Sequence, residues 1–298
     1  MKIFLTGGTG FIGSYVVKEL SIHNHQITIL ARNPKKVLEL VKLKGVSIIH
    51  GNLTDFKIIK ENLKGKDACI HIALGWGDGA INMLENDTFP SIFIFETAAK
   101  LGIKHLIYTS STATIGKYDV NIDLTTKTTP TDFYGATKAS SESFLHAISY
   151  QYPMQCNIIR PGYTFGNPII KGADMEPDVR FRDIVFKAKN NDDINLVKYD
   201  GTQFIWASDL AKLYRMVLDS NLNRQFYFGL STSFITWEKI AKETIKQLES
   251  LSRINLIDKG YSSKPFLFDV SPIKSDFGLE FHSWGQIIEH IKFLIENL

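Results

Sequence analysis

The sequence predicts a doubly wound α/β fold, in which helices cover both faces of a parallel sheet. Three observations lead to this prediction. In the first half of the 298-residue chain, short β-rich segments alternate strictly with longer amphipathic segments. The β-rich segments are apolar almost throughout, as strands are when both faces of a sheet are buried. A glycine-rich turn, "TGGTGFIG", joins the first strand to the first helix.

The elements of the first half follow in order from this alternation. The apolar segments predict strands at 2–6, 26–31, 46–50, 67–73, 105–111 and 155–161. The amphipathic segments between them predict helices at 11–23, 34–44, 54–64, 83–101 and 132–151. Residues 1–161 are therefore predicted to form the larger domain.

The pattern loosens after residue 161. Residues 162–178 are rich in Gly and Pro, which indicates a loop. Further helices are predicted at 179–190, 208–220, 234–250 and 283–297. The segment "QFYFGL" at 225–230 is predicted to return to the parallel sheet as another strand. The chain then divides into 1–161 with 204–230, and a smaller, discontinuous substrate domain made of 162–203 and 231–298.

Composition narrows the classes of function. A net charge of +3 is too small for a nucleic-acid or acidic-membrane partner, so a small-molecule ligand is expected. Cys69 and Cys156 lie in apolar segments without metal-ligand spacing, and we interpret both as buried hydrophobic residues. No segment is apolar for long enough to span a membrane, and glycines interrupt the N-terminus before any signal-peptide core. The expected location is the cytoplasm.

The turn after the first strand matches a dinucleotide-binding fingerprint. Its glycines are Gly7, Gly8, Gly10 and Gly13. The earlier glycines permit a tight turn and close approach of a pyrophosphate, while Gly13 lets the helix pack on the strand. Phe11 and Ile12 open the helix, whose backbone amides would bind the phosphates. The alternative is an ordinary tight turn, but its place after the first strand of this alternation favours nucleotide binding in a Rossmann domain.

The end of the second strand indicates which cofactor is bound. An acidic residue there would bind the ribose 2′-hydroxyl of NAD, but the sequence has Arg32, which can bind a 2′-phosphate. Residues 32–67 hold nine Lys or Arg against four Asp or Glu, so this end of the site is locally basic. Most of these lysines are expected to be solvated. Arg32 nevertheless favours NADP over NAD.

Two further strand ends are predicted to contact the cofactor. Asn52 follows the third strand and is placed to bond the adenine edge, with Leu53 packing on its face. The alternative is that Asn52 only forms a turn. Ala73, at the end of the fourth strand, is small enough to leave room for the cofactor in the crevice.

Several motifs together resemble the extended short-chain dehydrogenase/reductases, also called NAD-dependent epimerase/dehydratases. They are "TGGTGFIG", "GNLTD", "DACIHIA", "AAKLGIKHLIYTSS", "FYGATKAS", "RPGYTFGNP", "SDLA" and "DVSPIKSDFGLEF". Their order and spacing extend the resemblance over nearly the whole chain. The resemblance implies that Ser111, Tyr134 and Lys138 do the chemistry, and that Pro161 lies beside the cofactor.

The physical chemistry of the pair in "FYGATKAS" supports this assignment. Four residues along a helix return to the same face, so Tyr134 and Lys138 would both face the crevice. A free tyrosine has a pKa of about 10. The neighbouring Lys138 ammonium, the positive nicotinamide of an oxidised cofactor and the helix N-terminus all favour the phenolate, so together they are expected to lower that pKa. Ser111 would orient the reacting oxygen. Ser110 and Thr112 are close enough that this role could fall on either of them, and a serine that merely caps the strand is a further alternative.

The chain departs from the family pattern at two places. Thr112 and Ala113 stand where hexose dehydratases have an acidic pair, so dehydration is not expected. Thr202 stands where nucleotide-sugar epimerases commonly have a diphosphate-binding arginine. Arg180 or Arg182 could replace that arginine, or could be solvated. A more apolar substrate pocket is the other expectation, formed by Trp76, Phe165 and Trp206 unless they are core residues.

These observations favour an NAD(P)-dependent enzyme of the extended family that acts on a nucleotide sugar as an epimerase. Arg32 and the missing diphosphate-binding arginine favour the alternative, an NADPH-dependent carbonyl reductase. A third alternative is an NADP-binding redox sensor without turnover, against which the intact catalytic residues argue. The resemblance also suggests a homodimer formed through the helices at 83–101 and 132–151.

Overall fold

The computed structural model of the chain describes residues 1–34, 38–118, 121–170 and 177–298. Its strands are β1 (Lys2–Thr6), β2 (Gln26–Ala31), β3 (Val46–His50), β4 (Ala68–His71), β5 (His105–Thr109), β6 (Asn121–Ile122), β7 (Gln155–Pro161), β8 (Thr164–Phe165), β9 (Ile194–Val197), β10 (Gly201–Thr202), β11 (Ile205–Trp206), β12 (Phe226–Gly229), β13 (Ile235–Thr236), β14 (Ile254–Ile257) and β15 (Leu267–Phe268). Its helices are α1 (Phe11–Ile22), α2 (Leu38–Val41), α3 (Phe56–Leu63), α4 (Ala80–Met83), α5 (Phe89–Lys100), α6 (Phe133–Gln151), α7 (Arg180–Lys189), α8 (Ala207–Asp219), α9 (Trp237–Leu248), α10 (Ser271–Phe277) and α11 (Trp284–Asn297). A π-helical turn (Leu84–Thr88) continues α4, and a 3₁₀ turn (Thr112–Thr114) follows β5.

Seven strands form one sheet in the order β12-β7-β5-β4-β1-β2-β3. All neighbouring strands in it are parallel. The predicted fold class, a doubly wound parallel sheet, is confirmed. The chain lays β2 and β3 on one side of β1 and the later strands on the other, so the order reverses between β1 and β4. A crevice for ligands opens at such a reversal, beyond the carboxyl ends of the strands.

The two faces of the sheet are buried under different helices. Along β1, Ile3 and Leu5 belong to the apolar cluster under α1 and α8, whereas Phe4 belongs to the cluster under α3 and α5. This alternation follows from the two-residue period of a strand. Burial on both faces explains why the strands are apolar throughout and holds their carboxyl ends in fixed positions.

The later part of the chain contributes one strand to this sheet and a smaller lobe. Strand β12 pairs in parallel with β7, where the sequence predicts a returning strand. Helices α7, α9 and α11 enclose a separate apolar core that includes Phe181, Phe204 and Trp237. The exact domain boundaries stay a prediction, and residues 171–176 of the predicted loop lie outside the described residues.

Two predicted helices differ in the structure. The helix expected at 83–101 is α4, the π-helical turn and α5 in succession. Pro90 lies in the first turn of α5, where its ring has no N–H to donate to the preceding turn, and the helix changes its hydrogen-bond spacing there. Of the helix expected at 34–44, the structure has α2, while residues 35–37 lie outside the described residues.

The cysteines are both buried and unpaired, as the sequence predicts. Burial raises the pKa of each thiol, that of Cys156 to about 12, so neither is a nucleophile near neutral pH. In the ranges that the structure describes, no helix combines the length and the apolar character that a membrane crossing requires.

Candidate active site

A cleft of about 920 Å³ lies where the strand order reverses. This size falls in the range of ordinary cofactor sites. The residues predicted to bind the cofactor or to do the chemistry, apart from Gly8, line it. They are Gly7, Gly10, Phe11, Ile12, Gly13, Arg32, Asn52, Leu53, Ala73, Ser111, Tyr134, Lys138 and Pro161. The structure thus brings them together, while their individual roles stay predictions.

The glycine turn is built so tightly that side chains are excluded. Gly7 has a φ of +75°, and a Cβ there would lie 2.5 Å from the backbone nitrogen of Ala73. A Cβ on Gly13 would lie 2.0 Å from the carbonyl oxygen of Gly7. Gly10, the N-cap of α1, provides no side-chain acceptor for the amides of the first helical turn. The turn therefore fits a pyrophosphate, which would accept hydrogen bonds from those amides.

The end of the cleft formed by Arg32, Asn52 and Leu53, where the sequence predicts the adenosine, is more open, and we refer to it as the adenosine end. Arg32 and Asn52 are exposed, whereas Leu53 is buried. The side-chain oxygen of Asn52 accepts a hydrogen bond from the backbone N–H of Leu53 at 2.8 Å. Asn52 thus stabilises a turn, in agreement with the alternative given above, and its amide nitrogen remains to face a ligand. Lys35 and Lys36, which contribute to the predicted basic character, lie outside the described residues.

The reaction end is organised around the start of α6. The side chain of Asp132 accepts a hydrogen bond from the backbone N–H of Gly135 at 2.6 Å and caps the helix, which places Tyr134 in its first turn. A Cβ on Gly135 would lie 2.5 Å from the carbonyl oxygen of Ala113, so glycine lets α6 pack closely on the 3₁₀ turn. Ser111 caps that turn, because its Oγ accepts a hydrogen bond from the N–H of Ala113 at 3.1 Å. Ser111 therefore combines the capping function with a position beside Tyr134.

In the protein alone, burial has the largest effect on the pKa of Tyr134. Burial raises this pKa above the usual value for tyrosine; hydrogen bonding with Ser111 lowers it, and the charges of Asp87 and Asp132 raise it further. The Lys138 ammonium lies 5.9 Å from the Tyr134 ring, but it is paired with Asp87. In the protein alone, the phenol is therefore an acid at neutral pH.

A buried chain of polar groups connects the glycine turn with Lys138. The hydroxyl of Ser91 donates to the carbonyl oxygen of Asp87 at 2.7 Å, so Nε2 of His71 must donate to Ser91 Oγ at 2.9 Å. His71 Nδ1 then accepts from the hydroxyl of Thr6 at 2.6 Å. Burial and the charge of Lys138 lower the pKa of His71 to about 3, so it is neutral, as this arrangement requires.

A second, aromatic pocket of about 470 Å³ adjoins the cleft and shares Gly162 and Pro177 with it. Its aromatic lining consists of Tyr118, Tyr163, Trp237, Tyr261, Phe266 and Phe268. Arg180 also lines the pocket, where it lies 2.7 Å from Asp178 and 3.4 Å from Asp200 and stacks on Trp237. Two carboxylates therefore already bind this arginine. Arg182 lines the main cleft.

None of the three aromatic residues considered for the substrate pocket, Trp76, Phe165 and Trp206, lines either space, and the alternative that they are core residues agrees with the positions of Phe165 and Trp206. Trp76 is 65% exposed, and Phe165 is fully buried in the core of the smaller lobe. Trp206 packs against Phe165 with ring centroids 5.2 Å apart. Aromatic character alone does not reveal which residues face a pocket.

Sequence reasoning missed two residues that contact Lys138, namely Asp87 and Tyr108. Asp87 is completely buried, 3.5 Å from the Lys138 Nζ, and the Tyr108 ring lies 5.3 Å from the same atom. An acidic residue just before the apolar run "TFPSIFIF" was the available signal for Asp87. No feature of the sequence pointed to Tyr108, since aromatic residues are common in buried strands.

Comparison with known proteins adds independent findings. The model of the NAD dependent epimerase/dehydratase family matches residues 3–227. A UDP-glucose 4-epimerase of Corynebacterium glutamicum is 25% identical over 239 residues, covering 74% of this chain and 72% of that protein. The structure of the Thermotoga maritima UDP-glucose 4-epimerase with UDP-glucose covers 100% of this chain and 99% of its own, with a TM-score of 0.82 and 15% identity. That of the Bacillus cereus UDP-glucuronic acid 4-epimerase with NAD covers 99% of both chains, with a TM-score of 0.82 and 17% identity. These similarities to solved structures show a shared fold.

Proposed function

Because the chain belongs to the NAD dependent epimerase/dehydratase family, we propose that it oxidises and reduces a substrate carbinol through Ser111, Tyr134 and Lys138. The family match also confirms the predicted enzyme class. The observation that carries the proposal is the convergence of these three side chains with the glycine turn in one cleft.

The cleft is suited to a nicotinamide dinucleotide. The amides at the start of α1 would bind its pyrophosphate, and the excluded Cβ positions at Gly7 and Gly13 leave room for it. Leu53 and Asn52 would contact the adenine, while Pro161 and Ala73 line the same cleft nearer the catalytic residues. When bound, the cofactor accepts or supplies a hydride.

The protein's own groups would transfer the proton. Tyr134 would remove the hydroxyl proton as the carbinol is oxidised, and as an acid it would return a proton to the carbonyl oxygen on reduction. Ser111 would hold the substrate oxygen beside the phenol. Lys138 would hold the nicotinamide ribose, and its ammonium would favour the phenolate.

For the substrate, we propose a nucleotide sugar, with epimerase activity. The C. glutamicum relative over most of the chain and the fold shared with the T. maritima protein support this proposal, since both are named UDP-glucose 4-epimerases. An epimerase needs the same bound cofactor for oxidation and for reduction on the opposite face, so cofactor should stay with the protein.

A second candidate is an NADPH-dependent carbonyl reductase. Arg32 lines the cleft at the adenosine end, where it could bind a 2′-phosphate. The two carboxylates on Arg180 also make this residue a weak ligand for a diphosphate. Both observations favour a substrate without a nucleotide.

The test is to identify the nucleotide released from purified protein and then assay UDP-glucose with NAD by chromatography. Retained NAD and formation of UDP-galactose would support the epimerase. Stoichiometric consumption of NADPH with a carbonyl compound, without conversion of UDP-glucose, would overturn it in favour of the reductase.

A further inference from the structure

We propose that Asp87 is the buried counter-ion of Lys138, which keeps the ammonium charged and aimed into the cleft, and is thus a positioning residue for the reaction. The inference rests on the proposed function of Lys138. It starts from an unusual pair: the side chain of Asp87 is fully buried, that of Lys138 is 3% exposed, and Nζ lies 3.5 Å from Oδ2.

Asp87 is held in place by its other polar atoms. Its Oδ1 accepts a hydrogen bond from the backbone N–H of Gly75 at 3.0 Å, and its carbonyl oxygen accepts from the Ser91 hydroxyl. Its Oδ2 has no hydrogen-bond partner among the described residues. A buried carboxylate oxygen without such a partner is costly, so its closeness to an ammonium is what makes this position tolerable. Within the described part of the chain, Lys138 is the group that pairs with Oδ2.

Few charged groups compete for this pair. Those facing Lys138 from the packed elements are Asp87 on the π-helical turn, His71 on β4, Tyr108 on β5 and Tyr134 on its own helix. Glu142, one turn further along α6, is bound to Arg160 of β7. His71 is neutral, and burial raises the pKa of Tyr108 far above neutrality. Asp87 is therefore the one anion near neutral pH among the described groups that face Lys138.

The counter-ion decides whether Lys138 is charged. Burial by itself lowers the pKa of this lysine, whereas its contacts with Tyr108 and Asp87 raise it, and the net change is upward. Tyr108 is uncharged at neutral pH, so of these two contacts only the one with Asp87 supplies an anion to Lys138. Without Asp87, burial would prevail, and the ammonium would lose its proton at a lower pH.

A double-mutant cycle on thermal stability tests the pairing without any turnover. Asp87→Asn and Lys138→Met each leave a buried group without its counter-charge, so each should lower Tm by roughly 5 °C or more. The double variant should recover at least half of that loss, since neither charge remains. Losses that add, or an Asp87→Asn protein as stable as wild type, would overturn the pairing.

The matched control is an exposed pair on α5. Glu96 and Lys100 lie 2.8 Å apart and are both about half exposed. The corresponding variants, Glu96→Gln and Lys100→Met, should change Tm by no more than about 1 °C, singly or together. A coupling there as large as that of the buried pair would mean that the cycle does not report burial, and the proposal would be withdrawn.

The pH profile of substrate oxidation supplies a readout that a merely structural residue would not move. If Lys138 acts as an ammonium, the rate falls where it loses its proton. In Asp87→Asn this alkaline fall should begin about one pH unit or more lower than in wild type, and in Glu96→Gln it should not move. An unchanged profile in Asp87→Asn would overturn the positioning role. If wild type oxidises no substrate, the proposed function fails, while the stability cycle still decides the pairing.

Discussion

The functional side chains are buried at one end of the cleft and exposed at the other. At the reaction end, the side chains of Ser111, Lys138 and Asp87 are each less than 10% exposed and are fixed by caps, ion pairs and close helix packing. At the adenosine end, Arg32 and Asn52 are exposed and stand on loops that follow β2 and β3. The reaction end therefore depends on buried functional groups, and the adenosine end on a backbone turn with a few adjustable side chains.

This difference predicts where substitutions act. A buried polar group forms hydrogen bonds or ion pairs with buried neighbours, and its loss leaves those neighbours unpaired. Its substitution therefore affects both the reaction rate and the stability of the fold. An exposed side chain over a cleft has water as its alternative partner, so its loss changes which ligand is preferred and little else. Substitutions at the reaction end should therefore change the turnover rate, and substitutions at the adenosine end should change the cofactor preference.

The largest effect is expected at the reaction end, for Tyr134→Phe. Removing the hydroxyl removes the group that transfers the proton and keeps the ring, so the turnover rate should fall by about 10³-fold with little change in cofactor binding. Steady-state rates and a cofactor titration measure the two quantities. Tyr150→Phe, on the exposed side of the same helix, is the matched control and should keep full activity. Undiminished turnover in Tyr134→Phe would remove Tyr134 from the mechanism.

The next effect is expected at the glycine turn, between the two ends, for Gly13→Ala. Its Cβ would lie 2.0 Å from the Gly7 carbonyl oxygen, so the turn must open. We expect a loss of stability of about 2 kcal/mol and at least roughly tenfold weaker cofactor binding. Calorimetry and fluorescence titration would measure them. Gly285→Ala is the control, since a Cβ there meets nothing within 4 Å, and it should be neutral or slightly stabilising. A Gly13→Ala protein that binds cofactor normally would show that the turn is more adaptable than its contacts indicate.

The sequence predicts the two ends unequally well. The strands and the glycine turn follow from local patterns, because apolar periodicity and glycine spacing reflect backbone geometry directly. The assignment of Ser111, Tyr134 and Lys138 follows from the resemblance to a known family. Asp87 does not follow, because its partner lies 51 positions later in the chain (138 − 87 = 51). The close packing at Gly135 and the π-helical turn before α5 likewise depend on contacts between elements. The residues that contact the catalytic side chains from behind are thus the part of the site that only the fold reveals.

The pKa of Tyr134 illustrates the same limit. The spacing of Tyr134 and Lys138 predicts their shared helix, but not the anion that neutralises the lysine. In the protein alone, burial dominates the pKa of Tyr134, and the charges of Asp87 and Asp132 raise it further. A charge effect inferred from one pair of residues needs all of the charges around that pair.

The smallest effect is expected at the adenosine end, for Arg32→Asp. Arg32 is exposed and lines the cleft, so replacing it should leave stability and turnover nearly unchanged. If its guanidinium binds a 2′-phosphate, the preference for NADPH over NADH should fall by roughly 10- to 100-fold, the size of one or two hydrogen bonds to a charged group. Binding titrations with both cofactors measure this ratio. Lys57→Asp, an exposed basic residue in α3 that does not line the cleft, should leave it unchanged. Equal changes in the two variants would mean that the general basic character of this region, and not Arg32, selects the cofactor. The cofactor preference would then no longer illustrate the contrast between exposed side chains at one end of the cleft and buried ones at the other.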